Sequence, residues 1–129
     1  MDALGQPIDG LGPIEGAELA RTDRQPPSPL ERPIIREILP TGVRVIDACT
    51  TLGEGQRIGI FAGAGVGKSV LLAMMARGSG ADVAVIALVG ERSREVQEFV
   101  ARDLGADGRE RSVVVVATSD EPALRRVRA

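Results

Sequence analysis

Residues 62–69 read Ala-Gly-Ala-Gly-Val-Gly-Lys-Ser, between an apolar run and a segment with helical periodicity. They match the pattern G-x-x-x-x-G-K-[ST] except at the first position, where Ala62 replaces glycine. Glycines let a backbone close so tightly that its N–H groups point inward at phosphate oxygens. The positive end of the following helix dipole faces the same place. The stretch therefore predicts a phosphate-binding loop.

The side chains of this loop have separate expected tasks. We expect Lys68 to reach the β- and γ-phosphates of a nucleoside triphosphate, and the hydroxyl of Ser69 to bind Mg²⁺. Lys68 is also the single lysine beside fifteen arginines, and the two residue types are not interchangeable at a phosphate clamp. The alternative is a glycine-rich turn that binds no ligand. The residues expected to enclose the phosphates are Gly63, Ala64, Gly65, Val66, Gly67, Lys68 and Ser69.

The flanking sequence alternates between strand and helix patterns. Thr41 is expected to act as the N-cap of a short helix within residues 41–47. Alternation of this kind predicts an α/β fold with a parallel sheet and right-handed crossovers. Buried strands are predicted over residues 56–62, 82–89 and 112–118. Helices are predicted over residues 68–77, with Leu71, Leu72 and Met75 on one face, and over residues 93–104, where residues 105–108 break the helix. A last helix is predicted to start near Pro122.

The first third of the chain has a different composition. Residues 1–33 hold six of the eight prolines, together with two similar Leu-Gly turns. This composition predicts a linker rich in glycine and proline that has little core of its own. A disordered tail is the alternative interpretation of the same residues.

Composition excludes several classes of function. The net charge of −2 and the aromatic content of 2% argue against a nucleic-acid partner. Histidine is absent and Cys49 is the single cysteine, which argues against histidine metal sites and internal disulfides. The start of the chain lacks a signal peptide pattern, and no apolar run approaches the ~20 residues of a membrane span. We expect one domain or less, in the cytoplasm.

A second candidate group ends the second predicted strand at Gly90-Glu91-Arg92. The carboxyl end of a parallel strand is where such sheets present their chemistry. Glu91 could orient an attacking water, and Arg92 could meet a γ-phosphate. The alternative is that both belong to the solvated first turn of the next helix. Asp120 is interpreted as part of a helix N-terminus rather than as an acid that closes a strand.

Three segments together, residues 59–69, 85–92 and 112–124, make the chain resemble the flagellar export ATPases. These proteins group with the type III secretion ATPases and the catalytic subunits of rotary ATP synthases. The resemblance implies a P-loop NTPase (RecA-like) parallel-sheet core, ATP and Mg²⁺ as cofactors, and ATP hydrolysis that drives type III export. It also implies a homo-oligomeric ring, a hexamer, that works with the export apparatus and its substrates at the inner face of the cell membrane.

The same resemblance implies residue roles. Glu91 corresponds to the carboxylate that activates water, Arg92 to a contact with the γ-phosphate, and Lys68 completes the catalytic group. Ala62 is typical of the export ATPases, whereas the synthase catalytic subunit usually has glycine there. Ser93 departs from the family, in which glycine is more common at this position.

The resemblance further implies that the chain is a fragment. Residues 1–33 would be a linker and the end of a missing N-terminal β-barrel domain, and residues 34–129 the first part of the ATPase domain. The strand that ends in the Mg²⁺-ordering Asp, the arginine finger and the C-terminal domain lie outside it, so we expect the isolated chain to be inactive. The alternatives are a subunit of a proton- or sodium-linked ATP synthase and a truncated, non-catalytic nucleotide-binding module.

Overall fold

The computed structural model of the chain describes residues 1–16, 18, 20–63 and 65–129. The described part is an α/β fold with a small parallel sheet, as the alternating pattern predicts. In chain order the elements are α1 (Arg44–Cys49), α2 (Lys68–Gly78), β1 (Ala84–Val89), α3 (Ser93–Glu98), a π-helix (Phe99–Leu104), α4 (Gly105–Glu110), β2 (Ser112–Ala117) and α5 (Ala123–Arg128).

The sheet pairs β1 with β2 in parallel, in a register that runs from Ala84 opposite Ser112 to Val89 opposite Ala117. The helices between the two strands form the crossover that a parallel pair requires. The other edge of β2 is occupied by the start of the chain. The amino group of Met1 donates to the carbonyl of Val114 at 2.7 Å.

The core lies between α2, the sheet and the π-helix. Small side chains on α2 allow close packing, since Ala73 and Ala76 are buried. Of the three residues predicted to share one face of this helix, Leu71 and Met75 are half-buried, whereas Leu72 is exposed. The buried cluster consists of Ala73, Ala76, Ile86, Leu88, Phe99 and Leu104.

The strand predicted over residues 56–62 does not form. A strand needs a neighbour for its N–H and C=O groups, and β1 and β2 are the two strands of the sheet in the described part of the chain. Without such a neighbour, Ile58 and Phe61 are exposed. The prediction failed because an apolar pattern reports the tendency to be buried and not the presence of a partner.

Two helix predictions also need correction. α1 begins at Arg44 with Val43 as its N-cap, so Thr41 is not the N-cap; the Thr41 hydroxyl instead accepts from the N–H of Val43 and donates to Asp47. The helix that starts at Ser93 changes to π geometry at Phe99. Gly105 then takes a φ of 66° and a ψ of −172°, so the helix breaks where residues 105–108 begin, as predicted, but these residues form the separate helix α4 rather than a turn.

Only one face of β1 is covered. Ile86 and Leu88 are buried, whereas Val85 and Val89 on the opposite face are exposed. The expectation of a strand buried on both faces is therefore wrong for the described residues. Among these residues, no helix combines the length and apolar character needed to cross a membrane.

Candidate functional site

The glycine-rich loop leads directly into α2, which begins at Lys68. Gly65 and Gly67 have φ angles of 75° and 96°, values that favour glycine strongly over other residues. The space beside the loop is open, because a Cβ added at Gly63, Gly65 or Gly67 would meet no atom within 4 Å. The loop thus presents bare backbone to a free volume at the start of a helix of eleven residues.

That free volume is a cavity of about 560 Å³, within the range of small-molecule sites. It brings part of the predicted loop together with Glu91, the carboxylate predicted from a separate segment. Val66 points to solvent and does not line the cavity. Ala64 lies outside the described residues. The predicted site residues that line the cavity are Gly63, Gly65, Gly67, Lys68, Ser69 and Glu91.

Glu91 is placed by the end of the sheet. The N–H of Gly90 donates to the carbonyl of Ala117 at 2.7 Å, which continues the strand pairing by one residue. The carbonyl of Glu91 accepts from the N–H of Ser119 at 2.9 Å. Glu91 is half-buried and also lines a small hollow that it shares with Ser69. The strand end therefore sets a carboxylate beside the hydroxyl at the start of α2.

Arg92 does not line this cavity. Its guanidinium donates to Glu95 at 3.2 Å, one turn along α3, and its side chain is 81% exposed. This contact is the solvated helix-turn arrangement that was the alternative interpretation. A surface ion pair of this kind contributes little to stability, so it presents a small barrier to reorientation of the side chain.

The opposite wall of the cavity was missed by the sequence reasoning. It comes from α3 and the π-helix, and it carries both charge signs. Arg102 donates to Asp103 at 2.9 Å, and this hydrogen bond raises the pKa of the Arg102 guanidinium. A signal for this wall was present in the sequence: Glu95, Glu98 and Arg102 follow Glu91 at intervals of three or four residues, which places them on one side of a helix. The wall residues are Glu95, Glu98, Phe99, Arg102 and Asp103.

The residues fit a Mg²⁺ ion that is bound together with a nucleotide. Among the described residues there is no group of three Cys, Asp or Glu side chains arranged to hold a metal ion. Mg²⁺ in triphosphate sites typically takes one or two protein oxygens and completes its shell with phosphate oxygens and water. Ser69, which lines the cavity at the start of α2, would supply such an oxygen.

Comparison with known proteins gives a family for most of the chain. Residues 42–129 match the family model described as the ATP synthase alpha/beta family, nucleotide-binding domain. The matched segment begins just before α1 and contains both the loop and Glu91.

Relatives match over the whole chain. It is 57% identical over 129 residues to the flagellum-specific ATP synthase of Bacillus subtilis, covering 100% of this chain and 30% of that protein. It is 54% identical to the type 3 secretion system ATPase of Xanthomonas euvesicatoria, covering 100% of this chain and 29% of that protein. The chain thus spans about a third of the length of these relatives.

Solved structures agree with this similarity. The assembled ATPase EscN in complex with its central stalk EscO, from enteropathogenic E. coli, superposes with a TM-score of 0.89 at 46% identity, over 99% of this chain and 32% of that one. A prototypical ATPase from the type III secretion system of pathogenic bacteria gives a TM-score of 0.87 at 45% identity, over 99% of this chain and 36% of that one.

Proposed function

Because the chain belongs to the ATP synthase alpha/beta family through its nucleotide-binding domain, we propose that it is the ATP-binding part of an ATPase that drives type III export. The observation that supports this most directly is the cavity where Lys68 and Ser69 meet Glu91. Two segments that are 22 or more residues apart in sequence supply a phosphate-binding loop and an acid to one volume.

The loop is proposed to hold the triphosphate. The N–H groups around Gly65 and Gly67 would face the phosphate oxygens, with the positive end of the α2 dipole behind them. Lys68 would bind the β- and γ-phosphates as a point charge. Ser69 would bind Mg²⁺, which when present neutralises charge on the phosphate oxygens. Ala64, outside the described residues, is proposed for the same loop on its position in the motif.

Glu91 is proposed as the residue that orients and activates water for attack on the γ-phosphate. Its half-buried position beside Ser69 supports this role, because an acid acting on that water must lie next to the phosphate and metal site. Arg92 is proposed to contact the γ-phosphate after leaving Glu95. That movement exchanges an exposed ion pair for a phosphate contact.

The larger assembly is also proposed rather than observed. We assign residues 34–129 to the first part of a P-loop NTPase (RecA-like) domain, and residues 1–33 to a linker and the end of an N-terminal β-barrel domain. We further propose a homo-oligomeric ring, an export apparatus as partner and a peripheral position at the inner face of the cell membrane; the assembled ATPase and the type 3 secretion system relative support the ring and the link to secretion. Those relatives favour export over the alternatives of a proton- or sodium-linked synthase subunit and a non-catalytic module.

Two substitutions in the full-length protein that carries this sequence test the proposal. Lys68→Ala is expected to weaken binding of a fluorescent ATP analogue by at least about a hundred-fold, because a charge-assisted phosphate contact is lost. Glu91→Gln keeps the shape of the side chain and removes its negative charge. It is expected to leave binding within about two-fold and to reduce hydrolysis by at least about a hundred-fold.

The matched control is Arg94→Ala, which removes a charged side chain that is 89% exposed and does not line the cavity. It is expected to leave binding and hydrolysis at the unmodified level. Unchanged analogue binding by Lys68→Ala would contradict the assignment of the loop. Loss of binding in Glu91→Gln would give Glu91 a structural role instead of a catalytic one.

A further inference from the structure

A side-chain hydrogen bond joins the turn that carries Glu91 to the segment after β2. The hydroxyl of Ser93 donates to a carboxylate oxygen of Asp120 at 2.6 Å, across 27 residues of sequence. A hydroxyl–carboxylate bond of this length is charge-assisted and stronger than a bond between neutral groups. We call this pair the Ser93–Asp120 clasp.

The clasp is the third of three contacts between the same two segments. The other two use backbone atoms: the N–H of Gly90 donates to Ala117 at 2.7 Å, and the N–H of Ser119 donates to the carbonyl of Glu91 at 2.9 Å. These two backbone hydrogen bonds do not depend on particular side chains at the positions involved. The clasp requires a hydroxyl at position 93 and an acceptor at position 120, so it is the contact that this particular sequence adds.

The position of Ser93 explains why its hydroxyl is available. It is the first residue of α3, and no side chain caps that helix. A serine near a helix start often bonds to the backbone of its own first turn. Here the hydroxyl instead bonds outward, to a loop distant in sequence. A glycine at this position could not make the contact, because it has no hydroxyl.

We propose that Ser93 and Asp120 are positioning residues that hold the Glu91 carboxylate in place beside Ser69. This inference rests on the proposed function. The Glu91 carbonyl is fixed on one side by Ser119, and the clasp fixes the chain two residues further on. Glu91 thus lies between the Gly90 N–H, which is bonded to Ala117, and the Ser93 hydroxyl, which is bonded to Asp120. Without the clasp, the segment after Glu91 is held by α3 alone, and small displacements of a catalytic group reduce the rate steeply.

The test measures steady-state ATP hydrolysis by the full-length protein. Ser93→Ala and Asp120→Ala are each expected to lower kcat by about ten-fold while KM for ATP stays within about two-fold. Ser93→Thr retains the hydroxyl and is expected to restore most of kcat. The double variant Ser93→Ala with Asp120→Ala should be no slower than either single variant, because both changes remove the same interaction.

Arg94→Ala is the matched control. Arg94 is the neighbour of Ser93 on α3 and forms its own exposed contact, an ion pair with Glu98 at 3.3 Å. If loosening any surface contact of α3 affected the rate, this variant would be slow as well. We expect it to keep the kcat, the KM and the melting temperature of the unmodified protein.

The outcomes separate the clasp from the proposed function. Normal kcat in Ser93→Ala, in a protein whose hydrolysis is abolished by Lys68→Ala, overturns the clasp and leaves the proposed function intact. An equal loss in Arg94→Ala, or a lowered melting temperature in Ser93→Ala, also overturns it, since the effect would then be on α3 stability. Absence of any Lys68-dependent hydrolysis in the unmodified protein overturns the proposed function, and the clasp with it.

Discussion

The carboxylate of Asp47 collects hydrogen bonds from the segment just before α1. It accepts from the hydroxyl of Thr41 at 2.7 Å, from the N–H of Thr41 at 2.9 Å and from the N–H of Gly42 at 3.1 Å. These donors favour the ionised form, so the pKa of Asp47 lies below its ordinary value; the Thr41 hydroxyl has the largest effect. Thr41 itself is fully buried. Asp47 therefore satisfies the N–H and hydroxyl of Thr41, a residue that water does not reach.

Replacing Asp47 is expected to open this segment locally. In Asp47→Ala the N–H groups of Thr41 and Gly42 lose their acceptor, so their hydrogen exchange should accelerate by about ten-fold. Mass spectrometry of a peptide that spans residues 39–48 measures this. Asp82→Ala, which removes an exposed carboxylate, is the control and should leave the peptide unchanged.

The lowered pKa fixes the sign of the pH dependence. Asp47 slows amide hydrogen exchange in this segment when the pH is above the ordinary pKa of a carboxyl group. This protection is lost as the pH falls through the lower pKa that Asp47 has in the folded state. The difference in exchange between the unmodified protein and Asp47→Ala should therefore persist from about pH 7 to about pH 4 and shrink below that. A difference that grew on acidification would contradict this account.

The sequence predicts correctly the position of residues whose structure depends on their immediate neighbours in the chain. Lys68 and Ser69 were predicted at a helix start because the motif and the helix are contiguous, and the structure places them there. The prediction that Thr41 is an N-cap was wrong because a threonine hydroxyl can bond either to the backbone of the next helix turn or to another side chain. In the fold it donates to Asp47. The orientation of Arg92 depends on Glu95 in the same way. A motif identifies which residue types are present and does not determine where an exposed side chain points.

The approach of two glycines joins elements that are far apart in sequence. Gly78 ends α2 and lies against Gly42, ahead of α1. A Cβ at Gly78 would come within 2.9 Å of the carbonyl oxygen of Thr41, and one at Gly42 would come within 2.8 Å of the Gly78 Cα. Both contacts are with backbone, which cannot rotate away. The seating of α2 against this segment therefore depends on the absence of side chains at both positions.

Gly78→Ala is expected to destabilise the protein by about 1–3 kcal/mol, as overpacking does. Gly42→Ala should cost at least as much, because its φ of 74° adds backbone strain. Gly80→Ala is the control, since its Cβ would meet Pro40 at an ordinary 3.5 Å. Urea midpoints followed by pulse proteolysis measure the three variants. Equal urea midpoints for Gly78→Ala and Gly80→Ala would show that the backbone around Gly42 moves to accommodate the added methyl group, and would contradict this prediction.

Among the elements, those with partners in the chain were predicted well. β1 and β2 lie within two residues of their predicted bounds because each supplies the other's hydrogen bonds. Residues 56–62 have the same apolar character but no strand beside them in the described part of the chain. Pairing is a property of two segments at once, so a single-segment pattern could not distinguish these cases. The change to π geometry at Phe99 had no signal in the sequence pattern either.

The unpaired segment makes a prediction for proteolysis. The chain has two phenylalanines and neither tyrosine nor tryptophan. Phe61 is 95% exposed, whereas Phe99 is 3% exposed within the π-helix. Chymotrypsin should therefore cut the 129-residue chain after Phe61 well before Phe99, as mass spectrometry of timed digests would show. Earlier cutting at Phe99 in the 129-residue chain would contradict the described core.

At the scale of the molecule, much of the apolar surface is uncovered. Val85 and Val89 on β1 are exposed, as are Val70 and Met74 on α2. One face of the two-stranded sheet packs against helices, and the opposite face of β1 has no covering element among the described residues. Since the relatives are about three times as long as this chain, further chain is available in proteins of this kind to cover such a surface. This uncovered apolar surface supports the proposal that residues 34–129 are the first part of a larger ATPase domain.

This proposal predicts a large difference in activity between the isolated chain and the full-length protein. The family resemblance implies an arginine finger from a neighbouring subunit, and fingers of this kind contribute about 10³ to 10⁵ in rate. Because the proposed ring would supply that arginine from a neighbouring subunit, the purified 129-residue chain is expected to hydrolyse ATP at least about a thousand-fold more slowly than the full-length protein. Phosphate release with Mg²⁺ present, with Lys68→Ala of each as the control, measures this. Rapid turnover by the isolated chain that Lys68→Ala abolishes would show that the cavity is catalytically complete, and turnover that survives Lys68→Ala would come from another enzyme.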